Sequence, residues 1–460
     1  MSRPPGPGVP IVFGAAILVV VASVLLGGAS HDNPLLVAAV ELASLPLLAV
    51  CLRTPASRED RRTWPALATA SLCLALALPW LQLVPLPPSL WTALPGSGPV
   101  VASLEAARLA LPWRPLSLAP SETLDAALAL APPAAMFLAA MRLSEGQRRT
   151  MVGAWSVLGL ASLALGAGQL AASQNAGPYL YAITNYGSLV GFFANRNHQA
   201  SFLLALLPVA AVVATGAGRR GAGNAGRAVV GVFFVLAIVG LGVVRSRAGI
   251  ILAAPALAAS AVIVWRARGR RPRTSAGRAL AAASAAAAVA VLLFGLTPIA
   301  QRFDRAAPAE FRFEAWPSVA SLAKAHLPLG AGIGSFDRVY RAAEPLRRVG
   351  PQYFNHAHND WLELWLEAGW PAAVAMLVFL AWFARACLAV WIEPDAPPDL
   401  ARAASVSIAI VLIHSLVDYP LRTETMAVFF AFCCGVLAAP GGLAGAGVAA
   451  GAATVDRSRA

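Results

Sequence analysis

Charge is what this sequence has least of. Only 12% of its 460 residues are charged, 58% are hydrophobic, and the mean hydropathy is +0.68. A soluble domain carries about twice that charged fraction, so a water-soluble globular fold is excluded. Lysine is reduced to a single residue, Lys324. No basic soluble domain exists, which excludes nucleic acid as a partner. Cysteine is also scarce. Cys51, Cys73, Cys387, Cys433 and Cys434 lie in or beside apolar runs and outside the long polar segment. They imply no disulfide framework and read as small apolar fillers. Internal repeats are missing, and so is a nucleotide-binding loop. The glycine-rich PLGAGIGSF at 328–336 lacks the Lys-Ser/Thr that phosphate cradling needs, and reads as a tight turn between loop helices.

What fills the chain instead is apolar sequence in long runs. A helix crosses a bilayer with about 20 apolar residues. The runs between charges give spans at 9–29, 34–52, 64–85, 123–141, 150–171, 198–216, 228–244, 248–265, 279–298, 370–391, 403–417 and 424–439. The predicted fold is an all-α polytopic membrane protein of about twelve transmembrane helices. The first run follows Arg3 and ends in Gly27-Gly28-Ala29-Ser30. With no clear Ala-x-Ala site and a series of spans behind it, it reads as an uncleaved span rather than a signal peptide.

Arginine placement orients the chain. With the N-terminus in the cytoplasm, the inner segments hold Arg53, Arg58, Arg61 and Arg62; Arg142, Arg148 and Arg149; Arg219, Arg220 and Arg227; and six arginines from Arg266 to Arg278. This is the positive-inside pattern, and these arginines meet anionic membrane lipids. Three parts follow. Residues 1–184 form an N-terminal membrane region with an outer loop at 86–122, whose Trp91 and Trp113 suit the interfacial layer. Residues 185–439 form a second membrane region that includes the long outer loop 299–369, and 440–460 is a Gly- and Ala-rich tail expected to be disordered. Short helices are expected in the outer loops at 99–110, 314–326 and 335–343.

The titratable side chains gather on the outer side. In FNHAHNDWLELWLEAGWP, 354–371, a helix running into the span at 370 puts His356, Asn359, Glu363 and Glu367 on one face, turned to a cleft or to water. His358 projects elsewhere, and Asp360 lies in the same stretch. GFFANRNHQA brings Asn195, Arg196, Asn197 and His198 to the start of one span, and VVRSRAGI places Arg245 and Arg247 in a short outer turn. EFRFEAW adds Arg312, and IHSLVDYPLR adds His414, Asp418 and Arg422. Charges so close to hydrocarbon cost several kcal/mol unless paired or wetted, so they mark a site. Arg422, and one of Arg245 and Arg247, read instead as snorkelling helix-end arginines.

Arginine forks bind phosphate oxygens bidentately and stay charged at physiological pH. A neutral imidazole takes a proton from a hydroxyl. Together they suit a lipid-linked pyrophosphate donor and a hydroxyl acceptor, with no cofactor and no metal needed.

The ordered motifs resemble the O-antigen ligase and polymerase family. His-Ala-His-Asn-Asp-Trp-Leu followed by Leu-Glu-Ala-Gly-Trp-Pro is similar to its signature. So are Ser246-Arg247-Ala248 (Ala where the family has Gly), Arg312 ahead of Trp316, Pro328-Leu329-Gly330, and His414-Ser415 with Asp418-Tyr419-Pro420. The likeness covers roughly 185–435. It implies a GT-C-like, metal-independent glycosyltransferase that moves a glycan from undecaprenyl pyrophosphate to a lipid or glycan acceptor, outside the cytoplasm at the inner membrane. On that resemblance His358 is the base and Arg247 and Arg312 bind pyrophosphate, with Asn359 completing the core motif. Arg245, Arg196 and His356 join them by placement, and Asp360, Glu363, His414 and Asp418 support.

Three rivals stand beside this. His356-x-His358 could present two ligands to zinc, with Asp360, His326 or His414 as a third, although nearby arginines repel a cation. Asp360 or Glu363 could be the base. A transporter or flippase of lipid-linked oligosaccharide would also show arginines for pyrophosphate, but would carry charge near the midplane of its spans, where this sequence has little.

Overall fold

The computed structural model describes residues 9–29, 33–53, 66–172, 177–216, 224–268, 308–346, 349, 354–392 and 399–439. The helices are α1 (Val9–Leu26), α2 (Pro34–Arg53), α3 (Ala66–Gln82), α4 (Pro88–Trp91), α5 (Gly98–Ala106), α6 (Pro120–Leu128), α7 (Ala131–Arg142), α8 (Glu145–Ala171) and α9 (Arg196–Ala214). They continue with α10 (Asn224–Val244), α11 (Arg247–Arg268), α12 (Pro308–Ala325), α13 (Phe336–Ala343), α14 (Asp360–Ile392), α15 (Asp399–His414) and α16 (Glu424–Ala438). Among the described residues, 7 helical stretches are long and apolar enough to cross a membrane, one of them the α6–α7 pair (Pro120–Arg142), and three shorter apolar ones lie at Pro10–Leu26, Ala66–Gln82 and Glu424–Ala438. The chain is a multi-pass, all-α membrane protein. The span read at 279–298 and the tail at 440–460 lie outside the described residues.

Two expected spans have different shapes from those read in sequence. The run at 123–141 is two helices, α6 and α7, because Pro132 and Pro133 fall in the first turn of α7, where proline starts a helix but cannot continue one. The juxtamembrane stretch and the span at 370 form one helix, α14, with a kink at Gly369 (φ 52°, ψ −135°).

The centre of the bundle is α9, buried along nearly its whole length from His198 to Val213. It packs on α8, α10, α11 and α15. Trp155 of α8 sits 5.9 Å from Phe202 and 5.2 Å, edge on, from Phe429 of α16. Between membrane helices such packing acts through dispersion and close fit rather than exclusion of water. Gly435 shows the fit: a Cβ there would come 2.6 Å from Ala140 of α7.

The outer loops are tied to each other. Strands β1 (Pro85–Leu86) and β2 (Arg114–Pro115) pair antiparallel at the neck of the first loop. Its Leu118 N–H bonds the Ala331 carbonyl of the second at 2.8 Å. The glycine-rich turn then clasps the first part of α14: Ala331 N–H bonds Leu366 O at 3.0 Å, and Gly332 N–H bonds Glu367 O at 2.8 Å. Gly330 has φ +80°, and a Cβ on it would collide with the Glu367 carbonyl, so glycine is required for so close an approach. The turn is structural, as read.

Candidate functional site

The helix expected from 354 begins only at Asp360. Asn359 is its cap, the side-chain oxygen accepting the Leu362 N–H at 3.0 Å. His356 therefore lies outside the helix and reaches Glu363 by the path of the preceding loop. Its Nδ1–H donates to Glu363 Oε1 at 2.7 Å, while the Ala357 N–H bonds the other oxygen at 2.7 Å. Trp316 of α12 secures the same loop, its indole N–H donating to Ala357 O at 2.9 Å.

Glu363 and Glu367 do share one face of α14, but that face is turned inward. Both are fully buried, so the expected cleft or water-facing surface is corrected. Their partner is Arg422, which bonds Glu367 Oε2 at 2.7 Å and lies 3.5 Å from Glu363 and 3.6 Å from Asp360. The snorkelling reading of Arg422 is overturned: three carboxylates hold it. Burial works against its charge, yet Glu363, Glu367 and Asp360 together push its pKa above the ordinary arginine value. His356 behaves alike on a smaller scale. Burial lowers its pKa, but the Glu363 carboxylate outweighs this and the net shift is upward. With its oxygens so occupied, Glu363 is no free base. Asp360 accepts from Ser415 Oγ at 2.7 Å, which joins α14 to the end of α15.

His358 stands apart from this cluster, in the segment just before α14. Its Nδ1 faces Asp418 Oδ1 at 3.4 Å, and its ring lies edge-on to Tyr419 at 4.7 Å. Its φ is +50°, a left-handed conformation rare for a residue with a side chain. Such strain persists only where the surroundings impose it, and it gathers at functional sites. Arg245 shares the property, with φ +54°. Asp418 is buried and also accepts the Tyr419 N–H at 2.9 Å. Burial favours its neutral form, but the facing imidazoles of His198 and His358 prevail and hold its pKa well below the usual carboxylate range.

The remaining predicted residues lie on other helices or at their ends. His414 closes α15, its Nδ1–H donating to Ser201 Oγ at 2.6 Å, since that hydroxyl spends its own hydrogen on Asn197 O at 3.0 Å. It braces α15 against α9 rather than joining His358. Arg196 opens α9, its backbone N–H bonded to Asn185 Oδ1 at 3.0 Å. Arg245 is exposed and Arg247 half-buried at the α10–α11 junction. That junction packs on the start of α9, where Gly249 lets Ala200 close in to 3.0 Å of its Cβ position. Arg312 falls on α12, one turn ahead of Trp316; its side chain is outside the described residues.

Sequence reasoning missed two partners here. Tyr419 lies under three imidazoles, those of His198 (4.8 Å), His356 (4.4 Å) and His358 (4.7 Å). His198 lies 3.8 Å from Asp418. The signal was the run Asn195-Arg196-Asn197-His198 at a span start, but only long-range packing shows which carboxylate it meets. Among the described residues, no three His, Cys, Asp or Glu side chains are arranged to hold a metal ion.

Residues 232–391 match the model of a protein family described as O-antigen ligase. The resemblance read from the sequence motifs stands on that match. The matched stretch runs from α10 through the His356–His358 segment to the end of α14. No curated protein matches the chain.

Proposed function

We propose that this O-antigen-ligase-type membrane protein is a glycosyltransferase that moves a glycan from an undecaprenyl-pyrophosphate donor to a hydroxyl acceptor at the periplasmic face of the inner membrane. The observation that supports it most is the pairing of His358 with buried Asp418, at the bundle end where helix termini carry Arg196, Arg245 and Arg247. The arginine bias read from the sequence supports an outer position for that end, in a GT-C-like bundle of about twelve spans.

The chemistry follows from the pair. An Nδ1–H held by Asp418 leaves the His358 Nε2 lone pair as the base. As the acceptor oxygen bonds to the anomeric carbon, its proton passes to Nε2, and the bond from that carbon to the pyrophosphate oxygen breaks. Undecaprenyl pyrophosphate leaves with the electron pair. Arg247 and Arg312, with Arg196 and Arg245, offset the charge growing on it, each well-placed group contributing about 3 kcal/mol. The energy comes with the donor, and the arginines do what a metal does elsewhere.

The test is transfer from a fluorescent undecaprenyl-pyrophosphate oligosaccharide by the purified chain in EDTA, beside His358→Ala and Arg247→Ala. Metal-free transfer that falls at least about a hundredfold in both is expected. A ladder of products means polymerisation and a single addition onto lipid A core means ligation. Loss in EDTA alone, or movement of the donor across vesicles without transfer, refutes the reading.

A further inference from the structure

We infer that His198 is a positioning residue for His358, acting through the carboxylate they share. The inference rests on the proposed glycosyl transfer and adds a residue to it. His198 Nε2 lies 3.8 Å from Asp418 Oδ1, the same oxygen that faces His358 Nδ1 at 3.4 Å. The imidazole of His198 is 1% exposed, and neither of its ring nitrogens makes a hydrogen bond to the described residues. Burying a polar ring without partners is costly, a cost that a purely structural position would relieve by carrying an apolar side chain. Asp418 is the group that uses it, roughly 1 Å beyond hydrogen-bond distance. Contacts of this kind are often long until substrate draws a site together.

The geometry makes Asp418 a divided acceptor. Among the described residues, three donors face Oδ1: Tyr419 N–H at 2.9 Å, His358 at 3.4 Å and His198 at 3.8 Å. Each takes part of the carboxylate charge, so the share left for His358 depends on His198. Arg196 and Arg247, at the starts of α9 and α11, and Arg245 are the cations of the packed helix ends, and the other titratable groups near this spot have partners among the described residues. His356 is on Glu363, Arg422 is on Glu367, Glu363 and Asp360, and His414 is on Ser201. With His198 removed, more negative charge rests on His358, and its protonated form is stabilised. The base then becomes neutral only at higher pH. Tyr419 fixes the angle of the arrangement, lying edge-on to both rings.

The experiment is the pH profile of kcat/KM for transfer from the fluorescent donor, using full-length protein with His198→Leu, His198→Asn and His198→Gln. We expect the acid limb of His198→Leu and His198→Asn to move up by about 0.5–1 pH unit, kcat to fall about tenfold, and donor KM to stay within about threefold. His198→Gln, which keeps a long-reaching N–H donor, restores the wild-type limb. An unmoved acid limb in a monodisperse Leu or Asn variant overturns the inference, and so does an effect on KM alone. If only His198→Gln gives monodisperse protein, His198 is a folding residue and the inference also fails. Failure of the underlying reading is separate: it appears as wild-type protein without transfer, or as His358→Ala with full activity.

Discussion

Asp418 Oδ1 lies 3.4 Å from His358 Nδ1, joining the segment before α14 to the turn after α15 across 60 residues of sequence. The contact holds the imidazole in one tautomer, with its proton on the Asp418 side. Asp418→Asn keeps the shape but offers an amide N–H or a weaker acceptor. Transfer is expected to fall about a hundredfold or more while donor KM changes little. A variant retaining over half of wild-type kcat would show that the carboxylate does not orient the base.

Arg422 carries a different burden, as the cation held among the carboxyl groups of Asp360, Glu363 and Glu367. Arg422→Met removes the only cation beside Asp360, Glu363 and Glu367 other than His356 among the described residues. Breaking one side of a buried ionic cluster costs about 3–5 kcal/mol. The detergent-solubilised variant should unfold at a clearly lower temperature. Melting at the wild-type temperature would restore the snorkelling view of this arginine.

The His356–Glu363 pair sets a pH dependence of stability. Its folded pKa is raised, chiefly by Glu363 acting against burial. A raised histidine pKa stabilises the fold fully below the unfolded value of about 6.5 and is lost as pH rises through the folded value. Thermal midpoints measured from about pH 6 upward should decline in wild type and run flatter in His356→Gln. Coincident curves for the two proteins would remove this pair from the stability account.

Gly369 is where α14 turns from the site into the membrane. With φ +52°, a Cβ there is strained and would strike the Pro328 carbonyl, which accepts the Trp370 N–H at 2.9 Å. Gly369→Ala is expected to lower the yield of monodisperse protein and the transfer rate together. A fully active, stable variant would mean that the kink is not needed.

Trp316 tests how firmly the His356–His358 segment must be held. Trp316→Phe deletes one N–H bond, to Ala357 O, worth about 1 kcal/mol. Activity should drop several-fold with the melting temperature almost unchanged. Equal losses in both would assign the bond to folding alone.

The membrane class and the helix content were legible in the sequence, because apolar run length is a local property of a chain. The face shared by Glu363 and Glu367 was legible too, since a helical period fixes it. Whether that face looked at water or at protein was not, because periodicity says nothing about what packs opposite. The start of α14 was misplaced by several residues: the segment from His356 to Asn359 has no strong breaker, and a cap is recognised by the bond it makes.

What the sequence determined by itself was therefore a multi-pass helical protein with a family resemblance carried by short ordered motifs. Tertiary structure alone decided the partners. It gave Arg422 to three carboxylates, gave Asp418 to His358 and His198, and set Tyr419 beneath three rings. Each of these pairings joins segments that only the fold brings together, and a buried charge is worth keeping only where its counter-charge comes within a few ångströms.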